Sequence, residues 1–364
     1  MAFEYNIQNF LDSRYFAVYT KYMMQIYKML FAKGREENIM KTIRNGVFAS
    51  LSTLVLAAAP VAAETYIVAV GAASNSLQGR SAAKFADDLQ AKLGDAHTVE
   101  FYADGQLGDE KELLQKLRLG TVQFTLVSSI MTNVAPEFAL FDMPFLVQDR
   151  KHLKAIDAEI VQSDLAPKAE TAGLKVLSTW ENGFRQITNN TRPINTPADL
   201  EGLKIRTPSS EWRVSMFKEW GANPTPMSFS EVFVALQTGT MDGQENPLTN
   251  ITGANFQEVQ KYLSLTGHVY SPTYLTSGLS GWNELPENVQ SSAIAVAASI
   301  QDWSLAQGEA ADNDLVEKVK AAGVEVNQAD KKAFIEASAP IYAAFAEAVE
   351  GSDALVKRAQ ELAE

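Results

Sequence analysis

Arg206 ends the short strand Leu203-Lys204-Ile205 and is followed by Thr207-Pro208. A guanidinium at the carboxyl end of a strand suits capture of a carboxylate by paired N–H donors, whereas an arginine with no site around it is an ordinary surface residue. Asn246 closes an equivalent strand in MDGQENP. Topology carries it to the same crevice edge, where its amide could donate to an anion. Arg185 lies on an extended stretch five residues after Trp180. It is either a second positive donor or one half of an interdomain ion pair. Phe229 and Trp180 could stack on the apolar face of a ligand, or belong to the core as aromatic side chains more often do.

Other chemistries lack their residues. The chain has no cysteine, which removes disulfides, thiol nucleophiles, Cys-ligated metals and lipid attachment through Cys. His97, His152 and His268 are far apart and have no H-x-x-x-H or H-E-x-x-H spacing, so neither a zinc site nor another metal site is expected. No G-x-S-x-G, G-x-x-x-x-G-K-[ST] or G-x-G-x-x-G is present, so no nucleophile elbow or nucleotide cradle is expected and no cofactor is implied. Binding, not catalysis, is the expected activity.

The 364 residues, 46% apolar and 21% charged, suit two packed α/β domains. With 31 basic against 44 acidic residues the net charge is −13, which argues against nucleic acid or an anionic membrane as partner. Any bound anion must be held by a local site.

The elements that would position these residues occur twice. YIVAVGAASNS reads as a strand leading to a helix at Gly79 to Leu93. A strand at Thr98 to Tyr102, a helix at Glu110 to Leu119 closed by Gly120, and a strand at Val122 to Val127 follow. Downstream, the strand before Arg206 precedes helical spacing at Trp212 to Trp220; Asn223 to Met227 then leads into a helix at Phe229 to Thr238, closed by Gly239 before Met241 to Asn246. ELLQKLRLGT (112 to 121) and EVFVALQTGT (231 to 240) align without a gap. Duplicated halves, each with a mostly parallel sheet, are the simplest reading; chance recurrence of a common helix-Gly-strand unit is the other. Leu174 to Thr188 and His268 to Trp282 read as two crossings between the halves, hence a hinge. Pro286 to Ala321 has the four-and-three spacing of one long helix, roughly 50 Å, that would lie along both domains, with Gly308 a possible bend.

Residues 40–63, MKTIRNGVFASLSTLVLAAAPVAA, have the basic start, apolar stretch and small-residue end of a secretory signal. Periplasmic location follows as an expectation. Gly34-Arg35-Glu36-Glu37 could be encoded by a purine-rich ribosome-binding site, so translation is expected to start at Met40, leaving residues 1–39 a start-site misassignment. Residues 64–364 then carry a charge of about −16. The expected domains are 64–185 with 270–307 and 186–269 with 308–364.

The segments GQLGDEKELLQKLRLGTVQ, FDMPFL, WENGFRQITNNTRPINTPADLEGLKIRTP, GANPTPMSFSEVFVALQTGTMDGQENPL and EVQKYLSLTGH resemble those of the extracytoplasmic solute receptors of tripartite ATP-independent periplasmic (TRAP) transporters. The resemblance covers nearly all of the chain from Thr65. It implies a two-domain periplasmic-binding-protein fold with two hinge strands and a long helix beneath both domains. It also implies an organic-anion ligand and membrane permease subunits as partner, with the receptor itself acting as a monomer. By the same resemblance, the arginine of K-[IL]-R, here Arg206, holds the carboxylate, with Asn246 of D-G-Q-E-N assisting. Arg185 of G-[FT]-R adds a contact, and Phe229 of P-M-x-F-S-E packs on the ligand.

Ligand specificity would then come from the rest of the pocket, with Asn75, Ser128, Trp180 and Glu181 as the expected residues. Trp180 with Glu181 and Asn182 suits a polyhydroxylated ligand, which favours a sugar acid over a C4-dicarboxylate that would use Arg185 for its second carboxylate. A receptor feeding a membrane kinase would show the same pocket. An enzyme using Glu181 or Glu245 as base would need a second acid or a metal, and neither is identifiable.

Overall fold

The computed structural model describes residues 64–363 and Gln25; apart from Gln25, the leader and signal expected over residues 1–39 and 40–63 lie outside the described residues. β1 (Glu64–Ala69) leads through α1 (Leu77–Leu93) to β2 (His97–Tyr102), and α2 (Glu110–Arg118) leads on to β3 (Phe124–Val127). β1 pairs in parallel with both β2 and β3. α2 starts where it does because Asp109 and Glu112 form a reciprocal cap, each side chain accepting from the other's backbone N–H at 2.9 and 3.0 Å. It buries Leu113, Leu114 and Leu117.

α3 (Arg150–Ile156), a π-helical stretch and α4 (Ala166–Thr171) bring the chain to β4 (Leu174–Asn189). The second half then repeats the first. β5 (Lys204–Thr207), α5 (Glu211–Glu219), β6 (Asn223–Pro226), α6 (Val232–Gln237) and β7 (Gly243–Pro247) place β5 in parallel between β6 and β7, the same order of three as β2-β1-β3. The aligned glycines match as well. Gly120 and Gly239 end equivalent helices with φ of +70° and +72°, a backbone conformation that costs a side-chain-bearing residue energy.

The sheets are mixed, a correction to the mostly parallel expectation. Past β7 come α7 (Leu248–Gly253), β8 (Tyr262–Leu265) and β9 (Tyr270–Gly278). β9 runs antiparallel to both β3 and β4, and the far end of β4 runs antiparallel to β7 and β8. A parallel strand needs a long crossover, whereas a strand passing directly between sheets enters antiparallel to its neighbour. β4 therefore belongs to both sheets, and the chain returns alongside it between β8 and β9, where Arg185 N–H donates to Val269 O at 2.9 Å. These are the two hinge strands of a two-domain α/β fold.

After α8 (Leu279–Glu284) comes α9 (Glu287–Ala321), 35 residues and about 52 Å long. Val289, Ala293, Val296 and Ile300 pack into the core that holds Phe85, Phe124 and Trp180 of the first half. Val319, near the other end, packs with Val232, Leu236 and Phe256 of the second. Gly308 has a role other than the bend expected of it: a Cβ there would lie 2.6 Å from Glu181 Cγ, so the glycine makes room for a buried side chain. β10 (Glu325–Gln328) adds to β8 in parallel. α10 (Lys331–Glu336), α11 (Ala339–Ala348) and α12 (Ser352–Glu361) then cover α5 and α3, through Trp212–Phe345 and Trp220–Phe334 edge contacts and His152 Nε2 at 2.6 Å from Ala359 O.

Candidate functional site

A cavity of about 980 Å³ lies at the carboxyl ends of the two parallel triplets. Residues following β1, β3 and β6 and residues at the ends of β5 and β7 line it. Doubly wound sheets bind ligands at this edge because the strand-to-helix loops diverge there.

Arg206, near the end of β5, is 3% exposed and lines the cavity. Its Nε and Nη2 donate to Met227 O at 3.0 and 2.5 Å, which fixes the plane of the guanidinium. Nη1 has no protein partner among the described residues. Burial pulls its pKa down to about 10, against the attraction of Glu245 and Glu110, which leaves it protonated at neutral pH.

Arg185 also lines the cavity, and of the two readings open for it the structure shows an ion pair, with Glu245. Its Nε and Nη2 are held by the Glu245 carboxylate, and Nη2 donates to Asn246 Oδ1 at 3.1 Å. Glu245 is fully buried and also accepts from Arg213 Nη1 at 2.8 Å, while Arg213 Nη2 reaches Asp142 at 2.6 Å. Burial alone would push the Glu245 carboxyl up; Arg185 and Arg213 instead hold it well below the usual carboxylate range. Burial pulls His268, 3.2 Å from Glu245, down to about 4 despite that carboxylate, so it stays neutral at physiological pH.

Two amide relays set the orientation of the floor. Gln260 Nε2 donates to Val259 O, so its Oε1 accepts from Thr188 Oγ1; Thr188 accepts from Gln244 Nε2, and Gln244 Oε1 accepts from Asn246 Nδ2 at 2.6 Å. Asn246 thus has one amide hydrogen committed and its Oδ1 turned to Arg185. Ser128 Oγ donates to Pro272 O at 2.7 Å and accepts from Asn182 Nδ2 at 3.0 Å. Asn182 Oδ1 in turn accepts from Asn250 Nδ2 at 3.0 Å.

Of the residues expected from sequence, Arg206, Asn246, Arg185, Phe229 and Ser128 line this cavity together, Phe229 resting on Phe256 at 5.6 Å. Three do not. Trp180 is 0% exposed, packs against Phe85 and donates Nε1–H to Ala297 O at 2.9 Å, so it is core. Glu181 is spent on Arg150 at 2.8 Å and on the Tyr270 hydroxyl. Asn75 is exposed in the turn before the Ser76 N-cap, away from the cavity lining. The register of β4 against β9 shifts between Glu181 and Gly183. Such a bulge re-aims side chains, and here Asn182 reaches the cavity while its two predecessors do not.

Sequence reasoning missed Glu110, Asp109, Gln78 and Asn250, all of which line the cavity. Glu110 accepts from Ser128 N–H at 3.1 Å. Burial pushes its carboxyl up to about 7, in spite of that bond and of Arg206 and Arg185 nearby. Asp109 accepts a bond from the Ser228 hydroxyl across the cleft, and Asn133 Nδ2 donates to Ser209 O at 2.7 Å, so the two rims touch. No motif marks Asn250, which stands in α7 while Asn246 four residues earlier is still in β7, so helical spacing does not relate the two.

The description "bacterial extracellular solute-binding protein, family 7" matches residues 68–348. The 2,3-diketo-L-gulonate-binding periplasmic protein YiaO of Escherichia coli K12 is 38% identical over 260 residues, 71% of this chain and 79% of that protein. A TRAP periplasmic solute-binding protein from Polaromonas sp. JS666, solved with D-erythronate, superposes with a TM-score of 0.76 at 34% identity, covering 82% of this chain and 98% of that one. The sugar-acid-binding protein DctPAm from Advenella mimigardefordensis, in complex with galactonate, gives 0.77 at 30% identity, covering 83% and 98%. With a duplicated α/β architecture, two hinge strands and a cavity into which Arg185 and Arg206 face, the chain belongs to the DctP family of TRAP transporter solute receptors.

Proposed function

We propose that this receptor binds a sugar acid with a single carboxylate, and that Arg206 holds that carboxylate. The observation that carries the reading is the Nη1 edge of Arg206, charged and without a protein partner among the described residues, on a side chain only 3% exposed in a cavity that the amides of Asn246 and Asn250 and the hydroxyl of Ser128 help to line. Charge supports one carboxylate, not two. Arg185, Arg206 and Arg213 face Glu245 and Asp142, so with Glu110 protonated the set has one positive charge left over. A second carboxylate would meet Arg185, whose Nε and Nη2 are already held by Glu245. Asn246 contributes its remaining amide hydrogen, and Phe229 packs on the carbon chain.

Binding works by closure. In the open form the cleft is wet; when ligand bridges the halves, water leaves and the guanidinium–carboxylate attraction strengthens in the lower dielectric. The closed complex delivers its solute to the membrane permease, and no turnover of the ligand is expected. The chain is exported by the signal at residues 40–63 and works in the periplasm. The two lobes are 64–185 with 270–307 and 186–269 with 308–364, the C-terminal helices bracing both.

A thermal-shift screen of residues 64–364 against D-erythronate, D-galactonate, D-glucuronate and succinate tests this reading. Sugar acids should raise the melting temperature in a concentration-dependent way and succinate should not. Full retention of affinity by Arg206→Ala would refute the carboxylate assignment, and consumption of a ligand by the purified protein would revive an enzyme.

A further inference from the structure

Two amides in the cavity wall carry polar atoms that the fold leaves unpaired. Asn250 is 4% exposed and lines the cavity, yet its Oδ1 has no hydrogen-bond partner. Its orientation is not free. Nδ2 donates to Asn182 Oδ1 at 3.0 Å and lies 3.4 Å from Asn246 Oδ1, so turning the amide over would set oxygen against two oxygens. Asn182 cannot turn either, because its own Nδ2 is committed to Ser128 Oγ, whose hydrogen goes to Pro272 O. The relay thus begins on a backbone carbonyl and ends on a carbonyl oxygen that can only accept. Gln78, in the first turn of α1, is 7% exposed, lines the same cavity and makes no side-chain hydrogen bond among the described residues. α7, which carries Asn250, packs on the start of α1: a Cβ on Gly253 would lie 3.1 Å from Ser76 Cβ.

A buried acceptor with no partner costs free energy, and the cost is recovered when a donor arrives. A carboxylate cannot be that donor. A hydroxyl can, since it gives one hydrogen to Asn250 and accepts from an amide such as that of Gln78. We propose that Asn250 and Gln78 form a hydroxyl-reading wall that selects hydroxy acids over their deoxy counterparts. Asn250 Nδ2 lies 3.4 Å from Oδ1 of Asn246, whose remaining amide hydrogen is assigned above to the carboxylate, which puts the hydroxyl on a carbon near that carboxylate. The inference rests on the sugar-acid reading above and adds which residues read the sugar.

The test is calorimetric titration with D-galactonate and D-erythronate and with the 2-deoxy and 3-deoxy forms of each. The wild-type protein should favour a parent acid over at least one deoxy form by about tenfold or more, the value of one well-made hydrogen bond. Asn250→Leu and Gln78→Leu should collapse that ratio toward one. A ratio is read, not an affinity alone, so general weakening of a variant does not imitate the result. Equal affinity of the wild-type protein for parent and deoxy acids, or an unchanged ratio in both leucine variants, overturns the wall. If those results came with loss of binding in Arg206→Ala, the carboxylate reading would stand without it; if neither parent acid bound the wild-type protein, both would fall.

Discussion

On β4, Glu181 and Arg185 lie four residues apart, and both are buried in guanidinium–carboxylate clusters, yet only the cluster around Arg185 reaches the cavity. Glu181 accepts from Arg150 and Tyr270, sits over Gly308 of α9, and has its backbone N–H bonded to Ser304 Oγ at 3.1 Å. It bolts the crossing strand to the long helix. Arg185 shares Glu245 with Arg213, and beside it Arg206 keeps an open edge. The same chemistry is structural where it lies away from the cavity and functional where one guanidinium edge is left facing into it.

Removing charge from the second cluster should cost the most. Glu245→Gln leaves Arg185 and Arg213 buried without their shared counter-ion, an expected loss of about 3–5 kcal/mol in stability by denaturant unfolding. A loss under about 1 kcal/mol would mean that the cluster is not the electrostatic keystone described. Arg206→Ala should spare the fold more and lower sugar-acid affinity by at least about a hundredfold, the order expected when one partner of a desolvated charge pair is deleted. In the first cluster the effect should be purely structural. Gly308→Ala forces a methyl group against Glu181 and should destabilise by about 1–3 kcal/mol, with ligand affinity unchanged once folded. A selective loss of affinity there would erase the contrast between the two clusters.

The smallest effect is a dependence on pH. Glu110 faces Ser128 N–H, Arg206, Arg185 and its neighbour Asp109, and its carboxyl titrates near 7 in the folded chain. An anionic ligand binds beside it more weakly once it ionises, so affinity should fall as pH rises through about 7, by up to tenfold per pH unit. The folded pKa lies above the ordinary carboxylate value, so the folded state holds this proton more tightly. The same group should therefore subtract stability as pH rises from about 4.5 toward 7. Glu110→Gln should flatten both profiles; a profile unchanged by that substitution would assign the titration elsewhere.

Much of this was readable before the structure. Arg206 and Asn246 follow from strand ends and a motif run, the long helix from its apolar stripe, and the duplication from two helices ending in Gly-Thr. Trp180 and Glu181 misled because proximity in sequence to a site strand says nothing about which way a side chain points once a bulge interrupts the alternation. Gln78 and Glu110 could not be found by motif, since an unbonded amide and a shifted carboxyl become visible only when the far half of the chain is folded over them. Gly308 shows the same limit in a different form: a residue that resembles a weak point in a helix is there for a neighbour 127 positions away.

Asp109 serves two masters. Its carboxylate caps the helix that presents Glu110 and also accepts from Ser228 on the opposite rim; burial would raise its pKa, but the Ser228 hydroxyl and the backbone N–H groups of α2 keep it low. One carboxylate thus serves both jobs with separate oxygens, Oδ1 holding the first turn of α2 and Oδ2 holding the opposite rim, so an Asp109→Ala change would release a helix end and a cleft contact together.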